Sequence, residues 1–490
     1  MTALDPVPTP TFLWHDYETF GKVARRDRPA QFAAIRTDAE LNEIGEPLML
    51  YCQPANDYLP DPGACLITGI TPQICLERGV PEHEFAARIE QEFSRAGTIG
   101  VGYNSIRFDD EVTRHLFWRN LIDPYGREWR NGCGRWDLLD LVRAAHALRP
   151  DGIVWPQRPD GAGTSFKLGD LAAANGLLHE AAHDALSDVR ATIALARLIR
   201  EKQPRLFDFC LALHKKERVA AELGLPTTVR DARPFLHVSG MFAPERGCLA
   251  VMLPLAMHPT NRNELIAWDL SHDPAELATL DAEAIRRRIF TRAEDLPEGE
   301  MRLAIKTVHL NKSPVVVSSM KALTPEQAER WQIDVVTAER HAEVARGLPD
   351  MRAVWAQVFA ARDRTAVDVD EDLYGGFITD ADRRRLDQMR TRAPVAPDAL
   401  GKGHHSFDDP RLPELAWRWR ARNFGATLSA EDAERWEQHR AARLFDAAGG
   451  ARTVDALFAE IDALSETADE RGEAILGALY DWAEQIAPER

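Results

Sequence analysis

Two carboxylates, Asp16 and Glu18, stand two residues apart in the run Phe12–Phe20, whose aromatic residues and following Gly21 read as a β-strand. Side chains alternate faces along a strand, so the two acids point the same way. Held together and partly out of water, they repel each other. A hard divalent cation offsets that cost, because Mg²⁺ takes oxygen ligands, often one or two carboxylates plus substrate phosphates. An isolated pair of this kind also fits an edge strand with its acids in water, so other residues must decide.

Three further segments bear on the choice. Asp109 follows the turn residues Gly102, Asn104 and Ser105 and opens a helical run through Val112 and Phe117. His183 and Asp188 flank the start of an alanine-rich helix from Ala185. Residues five apart on a helix diverge by about 140°, so these two converge only if His183 lies at or before the first turn. Alone, His183 reads as a capping or core histidine. Ser165 and Lys167 lead a short helical segment, placed either to touch a phosphate or to stand in solvent. Asp110 and Glu111 read as exposed acids at a helix start. Asp137 and Asp140 read as acids at the positive end of a helix dipole.

The elements that must position these groups follow from length and pattern. At 490 residues the chain exceeds one hydrophobic core, and two or three domains are expected. Residues 10–203 alternate strand and helix patterns, with strands at Phe32–Thr37, Pro47–Gln53 and Thr98–Tyr103 and helices at Phe85–Ser94, Trp136–Leu148 and Ala185–Glu201. From 204 to 355 the pattern is strand-like at Val251–Met257, Glu264–Leu270 and Met301–Val317; from 356 to 490 it is helical. Six cysteines without a C-x-x-C pair argue against zinc and against a disulfide framework, and fit a reducing cytoplasm. No run is long and apolar enough to span a membrane, and no signal-peptide pattern opens the chain. The net charge of −17 works against non-specific binding of nucleic acid, which runs on phosphate neutralisation by Lys and Arg. Net charge describes the whole surface, however, and Val101–Asp160 carries nine arginines against nine acids, with aromatics interleaved. Basic plus aromatic is what a single-strand channel needs.

Taken in order, Asp16-x-Glu18, the N-x-x-x-F-D element from Asn104 to Asp109, and His183-x-x-x-x-Asp188 resemble the DEDDh 3′→5′ exonucleases. His15–Gly21, Arg28–Thr37, Tyr103–Arg114, Arg135–Asp140, Gln203–Asp208 and His237–Phe242 resemble the bacterial exonuclease I family more narrowly. Tyr374–Phe377 and Arg420–Phe424 extend the likeness into the last third. The resemblance implies an α/β RNase H-like exonuclease domain at 10–203, an SH3-like β-barrel domain at 204–355 and an α-helical domain at 356–490. It implies a processive 3′→5′ exonuclease that degrades single-stranded DNA to 5′-mononucleotides in DNA repair and recombination. Asp16, Glu18, Asp109 and Asp188 would hold two Mg²⁺ ions, with Mn²⁺ able to substitute, and His183 would act as general base. Tyr17, Asn104, Arg107, Phe108, Arg114, Ser165 and Lys167 are carried over as substrate contacts; for Tyr17, the residues themselves favour packing on the strand's other face. The implied partner is the C-terminal tail of single-stranded-DNA-binding protein, and the implied form is a cytoplasmic monomer. The rival readings are an exoribonuclease and a non-catalytic single-strand-DNA-binding scaffold.

Overall fold

A computed structural model describes residues 10–161, 163–177, 185–361, 365–393 and 407–489. They divide into two compact units, one from 1–134, 181–190 and 365–490, the other from 135–180 and 191–364.

In the first unit, β1 (Thr11–Thr19), β2 (Pro29–Thr37), β3 (Leu48–Tyr51) and β4 (Thr98–Gly102) lie in the order β3-β2-β1-β4. β1 is antiparallel to β2, with Asp16 opposite Ala33 and Glu18 opposite Gln31. It is parallel to β4 from Thr11 and Thr98 to Trp14 and Val101. The period of two is visible in burial. Leu13 and Tyr17 join Phe32, Phe85, Phe93, Leu116 and Phe117 in one apolar cluster, beneath helices Glu82–Phe93 and Asp109–Arg119. Asp16 and Glu18, on the opposite face, are half-buried. Within this unit, the C-terminal helices pack through two further clusters. Leu457, Leu476, Leu479 and Trp482 meet Phe20, Tyr58 and Cys75 in one. Leu386, Met389, Leu415 and Trp419 meet Trp118 and Leu121 in the other. Between them, Arg422 bridges the buried carboxylates of Asp57 and Asp370, at 2.7 and 2.5 Å.

At the division between the units, β5 (Gly134–Asp137) replaces the first residues of the helix expected at Trp136–Leu148. That helix begins at Leu138, because Asp137 is extended and caps it by accepting the Leu139 N–H at 3.0 Å. In the second unit, β6 (Phe235–Val238), β7 (Leu249–Met257), β8 (Glu264–Asp269), β9 (Ile305–His309) and β10 (Val315–Val317) form an antiparallel sheet in the order β10-β6-β7-β8-β9. A bulge between Pro254 and Ala256 adds local twist to β7, and Phe235, Met252, Leu265, Val308 and Val316 share its core. The strand-like stretch Met301–Val317 is thus two strands, and β6 was not anticipated. The helical stretch expected from 356 to 490 ends in two helices, Val454–Ser465 and Glu470–Ile486, the second capped by Asp469. The six cysteines are buried and free. No helix among the described residues is long and apolar enough to cross a membrane.

Candidate active site

The site is built on the far end of β1. β4 accompanies β1 only as far as Trp14. Beyond that point the Tyr17 N–H is taken by a side chain instead of a strand: it donates to Asp109 Oδ1 at 3.2 Å. Asp109 is delivered there by a tight turn. A Cβ on Gly102 would sit 2.7 Å from Ser105 Cβ and 3.0 Å from the His15 carbonyl. Asn104 takes a left-handed conformation (φ 63°), which asparagine tolerates better than most residues. The helix Asp109–Arg119 then starts with Asp109, placing its buried carboxylate beside β1.

Asp188 comes from the first turn of the helix Ala185–Lys202 and is exposed. Asp16, Glu18 and Asp188 each present a carboxylate oxygen within 4.8 Å of the others. The consequence is electrostatic. Burial, then repulsion from Asp109, Glu18 and Asp188 in that order, raises the Asp16 carboxyl well above the ordinary carboxylate range. An all-carboxylate donor set that pushes a proton onto one of its own members fits a hard divalent cation. His183 lies outside the described residues.

Three family models match consecutive stretches: "Exonuclease" over residues 13–196, "Exonuclease I SH3-like domain" over 214–361 and "Exonuclease I C-terminal domain" over 367–486. Exodeoxyribonuclease I of Escherichia coli K12 is 44% identical over 97% of this chain and 98% of its own length. The chain belongs to the exonuclease I family. Exodeoxyribonuclease I of Haemophilus influenzae is also 44% identical, over 89% of this chain and 90% of that protein. Among solved structures, exonuclease I from Methylocaldum szegediense superposes with a TM-score of 0.91 at 48% identity, covering 97% of this chain and 99% of that one. E. coli exonuclease I in complex with a dA16 oligonucleotide gives 0.89 at 44%, covering 98% and 100%. An ExoI/SSB-Ct complex gives 0.89 at 42%, with the same coverage.

Within this exonuclease I fold, several expected roles change. Tyr17 is not placed to contact a substrate through its ring, which is 5% exposed and packs on Phe32 at 4.8 Å; its hydroxyl accepts from Thr113 at 3.1 Å. His15 is buried beside it, and burial holds its imidazole down at about 4, so it is neutral near pH 7. Arg114 is buried and engaged: Nε and Nη2 donate to Glu128 at 2.7 and 2.9 Å, and Nη1 donates to Glu111 and to the Tyr374 hydroxyl. It braces its helix, its guanidinium engaged by these partners, where a substrate contact was expected. Asp110 is not an exposed acid either; it is 1% exposed and pairs at 2.5 Å with buried Arg127, whose guanidinium covers Phe93. Nothing in the sequence around Arg127 marked it as that partner. Asn104 and Arg107 are exposed on the turn, and Phe108 is half-buried against the apolar cluster. In the second unit, Ser165 is buried and donates to Asp170 at 2.5 Å, while Lys167 is exposed.

Proposed function

We propose that this chain removes nucleotides from the 3′ end of single-stranded DNA, processively, releasing 5′-mononucleotides, in DNA repair and recombination. The observation that carries the site assignment is the convergence of Asp16, Glu18 and Asp188 to within 4.8 Å, beside an Asp109 fixed by the Tyr17 N–H.

Asp16, Glu18, Asp109 and Asp188 would hold two Mg²⁺ ions, or Mn²⁺ in their place. When bound, such ions lower the pKa of an attacking water and neutralise charge on the phosphate and leaving oxygen. The half-buried position of Asp16 and Glu18 limits competition from solvent, and Asp109 is oriented before any ligand arrives. His183 takes the proton from the attacking water, the general-base role for which histidine is the commonest side chain. Asn104 and Arg107, on the turn that delivers Asp109, are the best placed of the expected substrate contacts in this unit. We also propose three consecutive domains at 10–203, 204–355 and 356–490, a monomer, and a cytoplasmic location.

The partner is the acidic C-terminal tail of single-stranded-DNA-binding protein. A groove of about 520 Å³ in the second unit, where Arg149 and Arg205 flank Leu148, Leu206 and Phe209, suits an acidic peptide. Reversing the charge at Arg205 should weaken tail binding in an anisotropy titration.

The deciding experiment is hydrolysis of a 3′-labelled single-stranded oligonucleotide with Mg²⁺, with EDTA and with Asp16→Ala, beside matched duplex DNA and RNA. Mononucleotides from single-stranded DNA alone, lost in both controls, support the reading. Equal cleavage of RNA would move the substrate to ribonucleic acid, and binding without cleavage would make the chain a scaffold.

A further inference from the structure

The segment Tyr374-Gly375-Gly376-Phe377 presents two aromatic rings to solvent, Tyr374 at 54% and Phe377 at 83% exposure. Exposure of this degree is costly for rings that size, yet the segment is held in place. Arg411 donates to the Asp372 carbonyl at 2.5 Å and to the Gly376 carbonyl at 2.9 Å while lying over the Trp118 ring at 4.9 Å. Gly376 has φ 149°, a conformation strained for any residue with a Cβ, and a Cβ on Gly375 would collide with the Arg411 guanidinium. The two glycines and one arginine therefore fix the backbone so that both rings face outward.

The rings also connect to the carboxylate site through one rigid element. The Tyr374 hydroxyl bonds to Glu111 and to Arg114, and its ring meets His115 edge-on at 6.0 Å. All three belong to the helix that Asp109 begins. Glu111 and Arg114 lie only about 3 and 7.5 Å along the helix axis from Asp109, at 1.5 Å per residue. Phe377 extends the surface through Tyr125 at 5.8 Å, and Tyr125 lies under the Arg114 guanidinium at 5.3 Å.

We propose that Tyr374 and Phe377 form a stacking shelf for bases of the single strand just upstream of the scissile phosphate. The inference rests on the nuclease reading above and adds to it the residues that select an unpaired strand. Stacking recognises the flat face of a base without regard to its identity, so the shelf would accept any sequence while a paired base, covered on both faces, would not seat. Arg411 is a positioning residue, acting through the backbone that carries the rings.

The test is a KM scan with Mg²⁺ on oligonucleotides carrying one abasic site, moved stepwise from the 3′ end, in the unaltered protein, Phe377→Ala and Phe377→Trp. Loss of one stacked base should raise KM about 5- to 150-fold. The shelf predicts that Phe377→Ala raises KM on intact DNA by that order, that Phe377→Trp restores it, and that the abasic penalty at one position disappears in Phe377→Ala. A KM for Phe377→Ala within twofold of the unaltered protein, or an undiminished abasic penalty at every position, would overturn the proposal. Equilibrium binding of 2-aminopurine-labelled oligonucleotides in EDTA reads stacking without turnover, so failure of the nuclease reading and failure of the shelf are separately visible. Phe377 is mostly in solvent, so its replacement leaves the fold intact.

Discussion

Removing a carboxylate from the cluster should stabilise the metal-free protein while destroying its activity. Asp188→Asn is the cleanest perturbation, because Asp188 is exposed and asparagine keeps its shape. Its carboxylate lies within 4.8 Å of those of Asp16 and Glu18. Two like charges at that distance repel by about 0.9 kcal/mol at the dielectric constant of water and about 3.5 kcal/mol at an effective value of 20. Exposure places Asp188 near the first figure, and the raised Asp16 carboxyl carries a proton over part of the range, which leaves Glu18 as the main opponent. A gain of about 1 kcal/mol, or about 1 °C in melting midpoint for a chain of 490 residues, is expected for the variant in EDTA at pH 8. The sign with pH follows from Asp16. Its folded carboxyl titrates above its unfolded value, so its favourable contribution is complete at low pH and is lost as pH rises through the raised value. The unaltered protein should therefore lose stability in EDTA as pH rises from 4 to 8, and Asp188→Asn should lose less. Mg²⁺ should invert the order, since a ligand at 100 times its Kd adds about 2.7 kcal/mol to the protein that binds it. Hydrolysis of single-stranded DNA should fall at least about 100-fold, the upper loss seen when only an outer-shell partner is removed. Differential scanning fluorimetry across pH, with and without Mg²⁺, reads all of this. A variant that melts lower than the parent in EDTA at pH 8, or an equal Mg²⁺ response in both, would refute the electrostatic account.

Other expectations follow from buried contacts. Asp110→Asn removes the carboxylate paired with buried Arg127 over the Phe93 ring, and should cost about 3–5 kcal/mol in urea denaturation. Arg422→Met removes the shortest partner of both Asp57 and Asp370 and should cost up to about 3–5 kcal/mol at pH 7, less to the extent that the remaining basic neighbours compensate. Burial alone would raise both carboxyls. Arg422, with His439 and Arg443 at Asp57 and with Arg28 and Arg418 at Asp370, outweighs it and holds them below the usual range. That stability is present above the unfolded carboxylate value and is lost as pH falls through the folded ones, so the parent should keep most of it at pH 4, and the urea midpoints at pH 7 and 4 will show it. Tyr17→Phe removes only a hydroxyl that accepts from Thr113; it should cost about 1 kcal/mol and leave the rate of oligonucleotide hydrolysis unchanged.

Much of the site was legible because it depends on local geometry. The period of two along Phe12–Phe20 put Asp16 and Glu18 on one face and His15 and Tyr17 on the other, and the burial pattern of β1 agrees. Gly102 and Asn104 marked the turn that carries Asp109, and both occupy conformations or clearances their side chains explain. The elements that were misread were those whose pattern is ambiguous at short range. Trp136 and Asp137 continue an apolar run into a helix on paper, yet Asp137 stays extended and caps it. β6 is four residues long, too short to announce itself by alternation.

What the sequence determined by itself is the chemistry available: carboxylates spaced to share a strand face, a third at the mouth of a helix, a fourth in the first turn of another. Those placements follow from backbone sterics, which act between near neighbours. Tertiary structure alone decided which charges work and which brace. Asp109 and Asp110 are adjacent, yet one bonds the Tyr17 N–H at the site and the other is sealed against Arg127, because successive residues on a helix point about 100° apart into different surroundings. Arg114 was carried over as a substrate contact, yet Glu128 and Tyr374 engage its guanidinium. Burial and pairing are set by residues beyond the local turn, from Arg127 and Glu128 on the following segment to Tyr374 at 260 residues' remove, whose packing leaves no mark on the local sequence.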